Sequence, residues 1–104
     1  MRIYVDYQGS RIRLTDERLA HILEHPEMQG MQPRIGETLA SPKRVLESLG
    51  DRRARLYYRF YIGTRVGNKY LCVVVKVLNG DAFVVTAYLT DKVKKGRQLW
   101  PREK

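Results

Sequence analysis

Residues 69–89, KYLCVVVKVLNGDAFVVTAYL, restrict the fold more than any other stretch of the chain. Two β-branched and aromatic runs bounding Asn79-Gly80 predict a hairpin, and the length of its loop decides which side chains share a face. A two-residue loop sets Lys76 beside Phe83 and leaves Thr86 and Tyr88 on the face of Leu71, Val73, Val75 and Val77, burying a hydroxyl with no evident partner. An odd loop, Leu78-Asn79-Gly80 with the glycine left-handed at a bulge, instead groups Tyr70, Cys72, Val74 and Lys76 with Ala82, Val84, Thr86 and Tyr88. Leu71, Val73, Val75, Val77, Phe83, Val85, Ala87 and Leu89 then form a wholly apolar face. The odd loop is therefore the expectation. It gives a sheet with one side that must be covered and another bearing a lysine, a threonine and tyrosines.

Around this hairpin the chain reads simply. Ile3 to Tyr7 and Arg11 to Leu14 alternate as a small hairpin about Gln8-Gly9-Ser10. Thr15 or Asp16 suits a helix N-cap, and Leu19, Ile22 and Leu23 mark the buried side of a helix that should end at His25, since Pro26 disfavours α geometry before it. Pro33 to Leu39 reads as a second helix, stopped by Ser41-Pro42. Val45 and Leu46 then lead outward through Gly50-Asp51. In Arg55 to Ile62, Leu56, Tyr58, Phe60 and Ile62 alternate with Arg55, Tyr57, Arg59 and Tyr61. At 104 residues the chain is expected to form one domain, residues 1–104, with a core to about residue 96 and a basic tail over 97–104. Helices ahead of an antiparallel meander predict an α+β domain, the N-terminal helices packing on one face of a small antiparallel β-sheet.

Charge points to the partner. Twenty Lys and Arg against eleven acids give a formal charge of +9, which draws polyanions, RNA or DNA foremost, and also suits an acidic protein. No apolar run reaches membrane-spanning length and no signal-peptide core is present, so no membrane association and a cytoplasmic location are expected. The lone Cys72 sits within a strand as a small packed side chain and cannot form an internal disulfide.

Several stretches together resemble a family. His21-Ile22-Leu23-Glu24-His25-Pro26-Glu27, a second helix running into Ala40-Ser41-Pro42, the Tyr/Arg-rich strand and Phe83-Val84-Val85-Thr86-Ala87-Tyr88 are similar to the phage and bacterial BECR nucleases. These are the barnase, EndoU, colicin and RelE-like small RNases, which include toxins of toxin–antitoxin pairs and polyvalent phage proteins. The resemblance spans residues 15–96; the first hairpin and the basic tail lie outside it. It implies a metal-independent RNA endonuclease with no cofactor, on a helix-plus-sheet fold. A histidine of the first helix and polar residues of the sheet's open face would act on RNA, with an acidic antitoxin or immunity protein as a further partner.

Metal-free RNA cleavage needs a base near the 2′-hydroxyl, cations on the phosphate and an acid for the leaving oxygen. Histidine suits either proton role. On a helical wheel His21 points away from the buried side and His25 lies on its border, which favours His25 as the catalytic residue and leaves His21 second. A plain reading makes His21 a solvated residue and His25 a partner of the helix C-terminal dipole. Lys76, a charge inside an otherwise apolar strand, needs solvent or an anion, and also serves to protect a sheet edge. Arg59 and Thr86 complete the catalytic candidates. Tyr57, Tyr61, Tyr88 and Arg55 are the candidates for binding substrate, the tyrosines by stacking bases. A rival pattern, H-x-x-E-H over residues 21–25, matches zinc proteases. Pro26 cuts that helix at the second ligand and no third ligand sits at a recognisable spacing, so no metal is expected. The other rival is a non-catalytic module that binds RNA or an acidic protein through the same basic face.

Overall fold

The computed structural model describes residues 1–102, in the order β1 (Arg2–Val5), β2 (Arg11–Leu14), α1 (Asp16–Leu23), α2 (Gln32–Ala40), β3 (Arg44–Ser48), β4 (Ala54–Thr64), β5 (Gly67–Leu78), β6 (Asp81–Thr90) and β7 (Gly96–Trp100). Glu103 and Lys104, the end of the sequence-predicted tail, lie outside the described residues. All seven strands join one sheet in the order β1-β2-β6-β5-β4-β3-β7, antiparallel throughout except where β2 meets β6 in parallel at Arg13 and Phe83.

This architecture corrects the expected fold class. In place of helices on a small antiparallel sheet, about half the chain is strand in a mixed seven-stranded sheet, and the helices are two short ones with a 3₁₀ turn at Pro26–Met28. Three features account for the difference. The first hairpin adds to the sheet through β2 instead of standing apart. Arg44–Ser48, read as a lead outward, pairs with β4. Gly96–Trp100, read as tail, pairs with β3, its Leu99 packs against the main core, and the Trp100 ring lies 5.3 Å from that of Tyr7.

The helices cross the sheet because the chain must travel from β2, near one edge, to β3, near the other, over β6, β5 and β4. Thr15 caps α1 by accepting from the Arg18 backbone N–H at 3.2 Å, and Asp16 and Glu17 occupy the first turn where the helix dipole favours them. The helix ends at Leu23, two residues before the expected stop, and His25 is already extended ahead of Pro26. Pro33 sits in the first turn of α2. Leu19 and Ile22 of α1, Ile35 and Leu39 of α2, and Met28 between them pack on Tyr57, Leu71, Val73, Val75, Val84 and Ala87 of the sheet. Each large side chain so buried contributes roughly 1.5–3 kcal/mol.

The central hairpin reaches the expected facing of Thr86 and Tyr88 by another route. Leu78 lies opposite Asp81, so the loop has two residues, Asn79 and Gly80, with Gly80 left-handed at φ 67°. Lys76 accordingly faces Phe83. Val75 pairs with Val84 but Val74 pairs with Thr86, which makes Val85 an extra residue in β6. That bulge reverses the facing of everything beyond it. Thr86 and Tyr88 thereby share a face with Lys76 and Cys72, opposite the helices. Phe83, expected on the apolar side, joins Lys76 instead, and Ala82 and Val84, expected on the open face, pair with Val77 and Val75 on the helix side.

Candidate nucleic-acid interface

On the face without helices, cross-strand pairing assembles rows of side chains. Arg44, Tyr58, Cys72 and Tyr88 make one row, and Leu46, Leu56, Val74 and Thr86 make the next. Phe60, Tyr70 and Thr90 lie on one side of these, Lys76 and Phe83 on the other, with Arg13 beside Phe83. Leu46, Leu56, Tyr58 and Cys72 are buried, forming a second, smaller core. Around them the surface alternates aromatic and cationic groups. The Arg13 guanidinium lies 5.3 Å from the Phe83 ring and donates twice to Asp81, at 2.9 and 2.7 Å. Phe60 packs edge-on against Tyr70 at 5.0 Å. Lys76 Nζ is 3.2 Å from Asp51, whose carboxyl is held below its ordinary range by the Arg53 backbone N–H and then by Lys76.

The chain after β6 folds back across this face. Val93 packs on the smaller core, the Lys94 backbone N–H donates to Tyr58 Oη at 3.1 Å, and Lys94 Nζ lies 5.8 Å from the centre of the Tyr88 ring. Burial pushes Tyr58 up to about 12 and also raises Tyr88 and Cys72. The Tyr88 hydroxyl is out of solvent and has no hydrogen-bond partner among the described residues. Tyr58 Oη and Cys72 Sγ are its polar neighbours, yet neither meets it in hydrogen-bond geometry. A buried hydroxyl left unmatched costs about 1–3 kcal/mol.

The structure divides the sequence-predicted residues between two sides of the sheet. Lys76, Thr86 and Tyr88 come together on the uncovered face. Tyr57, Tyr61, Arg55 and Arg59 do not join them, because β4 pairs Tyr57 with Val73 and Arg59 with Leu71, which turns this set towards the helices. Tyr57 is 1% exposed and donates to Asp6 at 2.7 Å; Tyr61 is 4% exposed and donates to Glu37 at 2.7 Å. Neither ring is open to stack a base. Arg59 is engaged in structure, donating to the Ser41 carbonyl at 2.7 Å beside Glu37. His21 and His25 are exposed on the helix side, with Nδ1 3.5 Å from Glu24 and 3.9 Å from Glu27. The sheet separates them from Lys76. His25 also stands outside α1, so the H-x-x-E-H stretch does not place two histidines one helical turn apart, and the described residues hold no group of three or more His, Cys, Asp or Glu suited to a metal ion.

Tyr58, Phe60, Tyr70, Phe83, Arg13, Arg44 and Lys94 are the members that sequence reasoning missed. Tyr58 was legible as the opposite phase of Arg55 to Ile62, but the loop between β4 and β5 gave no register to say which phase is covered. Lys94 follows only from the fold-back of the chain. No helix among the described residues is long and apolar enough to cross a membrane. Comparison with protein-family models, with curated proteins and with solved structures returned no match to this chain.

Proposed function

We propose that the chain binds single-stranded RNA on the uncovered face of its sheet and cleaves it as a metal-independent endonuclease of the small RNase-toxin type. The observation that carries this reading is the alternation of aromatic rings and cations there: Phe83, Tyr88, Phe60 and Tyr70 among Arg13, Lys76, Arg44 and Lys94. Aromatic rings stack bases without regard to sequence, and cations neutralise the phosphates between them. Along a strand, residues two apart on one face are roughly 7 Å from each other. Lys76, Thr86 and Tyr88 therefore form a track that meets successive nucleotides and does not converge on one phosphate.

The reacting phosphate belongs at the Tyr88 end. Attack of the 2′-oxygen on phosphorus forms the cyclic phosphate and breaks the bond to the 5′-oxygen; water takes the 2′-hydroxyl proton and water returns one to the leaving 5′-oxygen, while Lys94 stabilises the charge that builds on the phosphoryl oxygens. Thr86 supplies a hydroxyl one step along the strand, and the Tyr88 hydroxyl, out of solvent, leaves only its ring, which Lys94 approaches, beside the phosphate. Lys76, with Asp51 beside it, holds the neighbouring nucleotide. An acidic antitoxin or immunity protein would dock on the same cations and block them.

Incubating the purified protein with a mixed RNA population in EDTA is the direct test. Cleavage that leaves 2′,3′-cyclic phosphate ends supports the reading. Binding without cleavage favours the second reading, a non-catalytic RNA-binding or acidic-protein-binding module, which the separation of both histidines from Lys76 already makes worth testing. In either case log affinity should fall linearly with log salt, with a slope close to the number of phosphates neutralised.

A further inference from the structure

Two cavities on the helix side of the sheet share Arg55 in their lining, and no helical residue lines either one. The smaller, about 340 Å³, has an apolar floor of Ile12, Val77 and Ala82 with Ser10, Arg11 and Asp81 at its rim. The larger, about 530 Å³, is walled by Tyr7, Gln8, Arg97, Gln98 and Arg102. Arg55 lines both. Volumes of this size fall within the roughly 300–1,000 Å³ typical of small-ligand pockets.

The walls are held firmly. Asp6, 5% exposed, accepts from the backbone N–H groups of Gln8 and Ser10 at 3.0 and 2.9 Å and from Tyr57 Oη at 2.7 Å. Three donors therefore occupy the one buried carboxylate, and it fixes the β1–β2 loop instead of neutralising the cleft. Arg97 donates to Glu47 at 2.6 Å, whereas Arg55 and Arg11 form no ion pair among the described residues. An unpaired guanidinium between a polar chamber and an apolar slot suits a ligand with an anionic group at one end and a flat, edge-polar ring at the other.

We propose that this cleft is a nucleotide site, taking the base in the smaller cavity and the phosphate in the larger, against Arg55 and Arg97. The inference stands apart from the RNA-cleavage reading, because Arg55 and Arg97, which would hold the phosphate, lie on the helix side of the sheet and not on the face that carries it. A free mononucleotide and one unit of an RNA strand present the same chemistry here.

Calorimetric titration of the full chain with 5′-AMP, 5′-GMP, 5′-CMP and 5′-UMP tests it, with the matching nucleosides and inorganic phosphate as comparators. At least one mononucleotide should bind about tenfold or more tightly than both its nucleoside and inorganic phosphate. Arg55→Ala should weaken it by about tenfold or more, Arg55→Lys by less, and Arg18→Ala, on the outer side of α1, not at all. Should Arg55→Ala unfold, Ala82→Leu fills the smaller cavity without touching an arginine, and should lose the mononucleotide while keeping inorganic phosphate. A short RNA oligonucleotide weakened by Arg55→Ala in parallel with the mononucleotide assigns the ligand to a strand; one left unaffected assigns it to the free nucleotide, and either result supports the site. Absence of mononucleotide binding at millimolar concentration overturns the proposal. So does inorganic phosphate binding as tightly as the nucleotides, or an affinity unchanged in both folded variants.

Discussion

Tyrosine and cationic side chains occur on both faces of the sheet, and the two faces use them differently. Under the helices Tyr57 has Asp6, Tyr61 has Glu37 and Thr38, and Arg59 donates to Ser41, although Arg59 Nε is buried without a hydrogen-bond partner among the described residues. On the other face Tyr88 has none, and Lys94 lies over a ring in place of a carboxylate. The contrast follows from packing. A face covered by helices excludes water, so its polar groups must be matched internally or the fold loses their hydrogen bonds. A face open at its margins leaves Lys94 without a carboxylate, while Arg13 and Lys76 there are paired with Asp81 and Asp51 at the surface. The residue type says little; the covering element decides.

The comparison is broken most sharply by measuring rates. If the uncovered face does the chemistry, Lys94→Ala should lose roughly 10²-fold in kcat, the scale of removing one charge-stabilising group. Lys76→Ala, placed a nucleotide away, should raise KM more than it lowers kcat. Equal rates for both variants and the parent chain would falsify the assignment of this face.

Next in size is a matched pair of substitutions. Tyr57→Phe removes the donor that satisfies a buried carboxylate and should cost about 1–3 kcal/mol of stability by chemical denaturation. Tyr88→Phe removes a buried hydroxyl that has no partner among the described residues, and should leave stability unchanged or slightly higher. The same atom is deleted in both cases with opposite consequences. Similar losses of stability at the two positions would show that Tyr88 is satisfied in solution and that the two faces do not differ in this respect.

That pair also shows how far the sequence could be read. Alternation in Arg55 to Ile62 separated Tyr57 from Tyr58 correctly, because strand period is local. Which of the two is covered depends on pairing across the loop from Gly63 to Val66, and residue types there do not encode register. The facing of Lys76 with Thr86 and Tyr88 was legible from apolar continuity, although the odd residue that produces it is Val85 within the strand and not a third loop residue. Strand β7 was hidden for another reason. Its lysine- and arginine-rich surroundings read as solvated tail, while Leu99 and Trp100 supply too few apolar positions for a periodic signal. Gly96 is the cue that went unread: a Cβ there would collide with the Glu47 carbonyl, so the close approach of β3 and β7 requires glycine.

A smaller and shared effect should appear in alkali. Burial pushes Tyr58, on the uncovered face, and Tyr61, under the helices, from 10 up to about 12, and Tyr57 and Tyr88 are raised as well. The unfolded chain releases these protons near pH 10 while the fold retains them. Their contribution to stability is therefore complete below pH 10 and declines as pH rises from 10 towards 12. Thermal unfolding followed across that window should show the decline, and Tyr58→Phe and Tyr61→Phe should each reduce its slope. A Tm that stays level through pH 12 would mean that these rings are far wetter than their packing indicates.

The smallest effect, and the one that most directly separates the two sides, concerns His21 and His25. Side-chain chemistry alone favours them for proton transfer, since an imidazole can both accept and donate a proton. Their position does not: α1 packs Leu19 and Ile22 on the covered face, and both imidazoles stand on the helix side, near Glu24 and Glu27. The full thickness of the sheet lies between them and Tyr88. A group transfers a proton in the transition state only within hydrogen-bond reach or through one water. The double variant His21→Ala/His25→Ala should thus keep its cleavage rate to within a factor of about two, against the roughly 10²-fold or greater loss expected of a general acid or base. A dead double variant beside an active Lys94→Ala would move the chemistry to the end of α1 and leave the uncovered face as a track that only binds RNA.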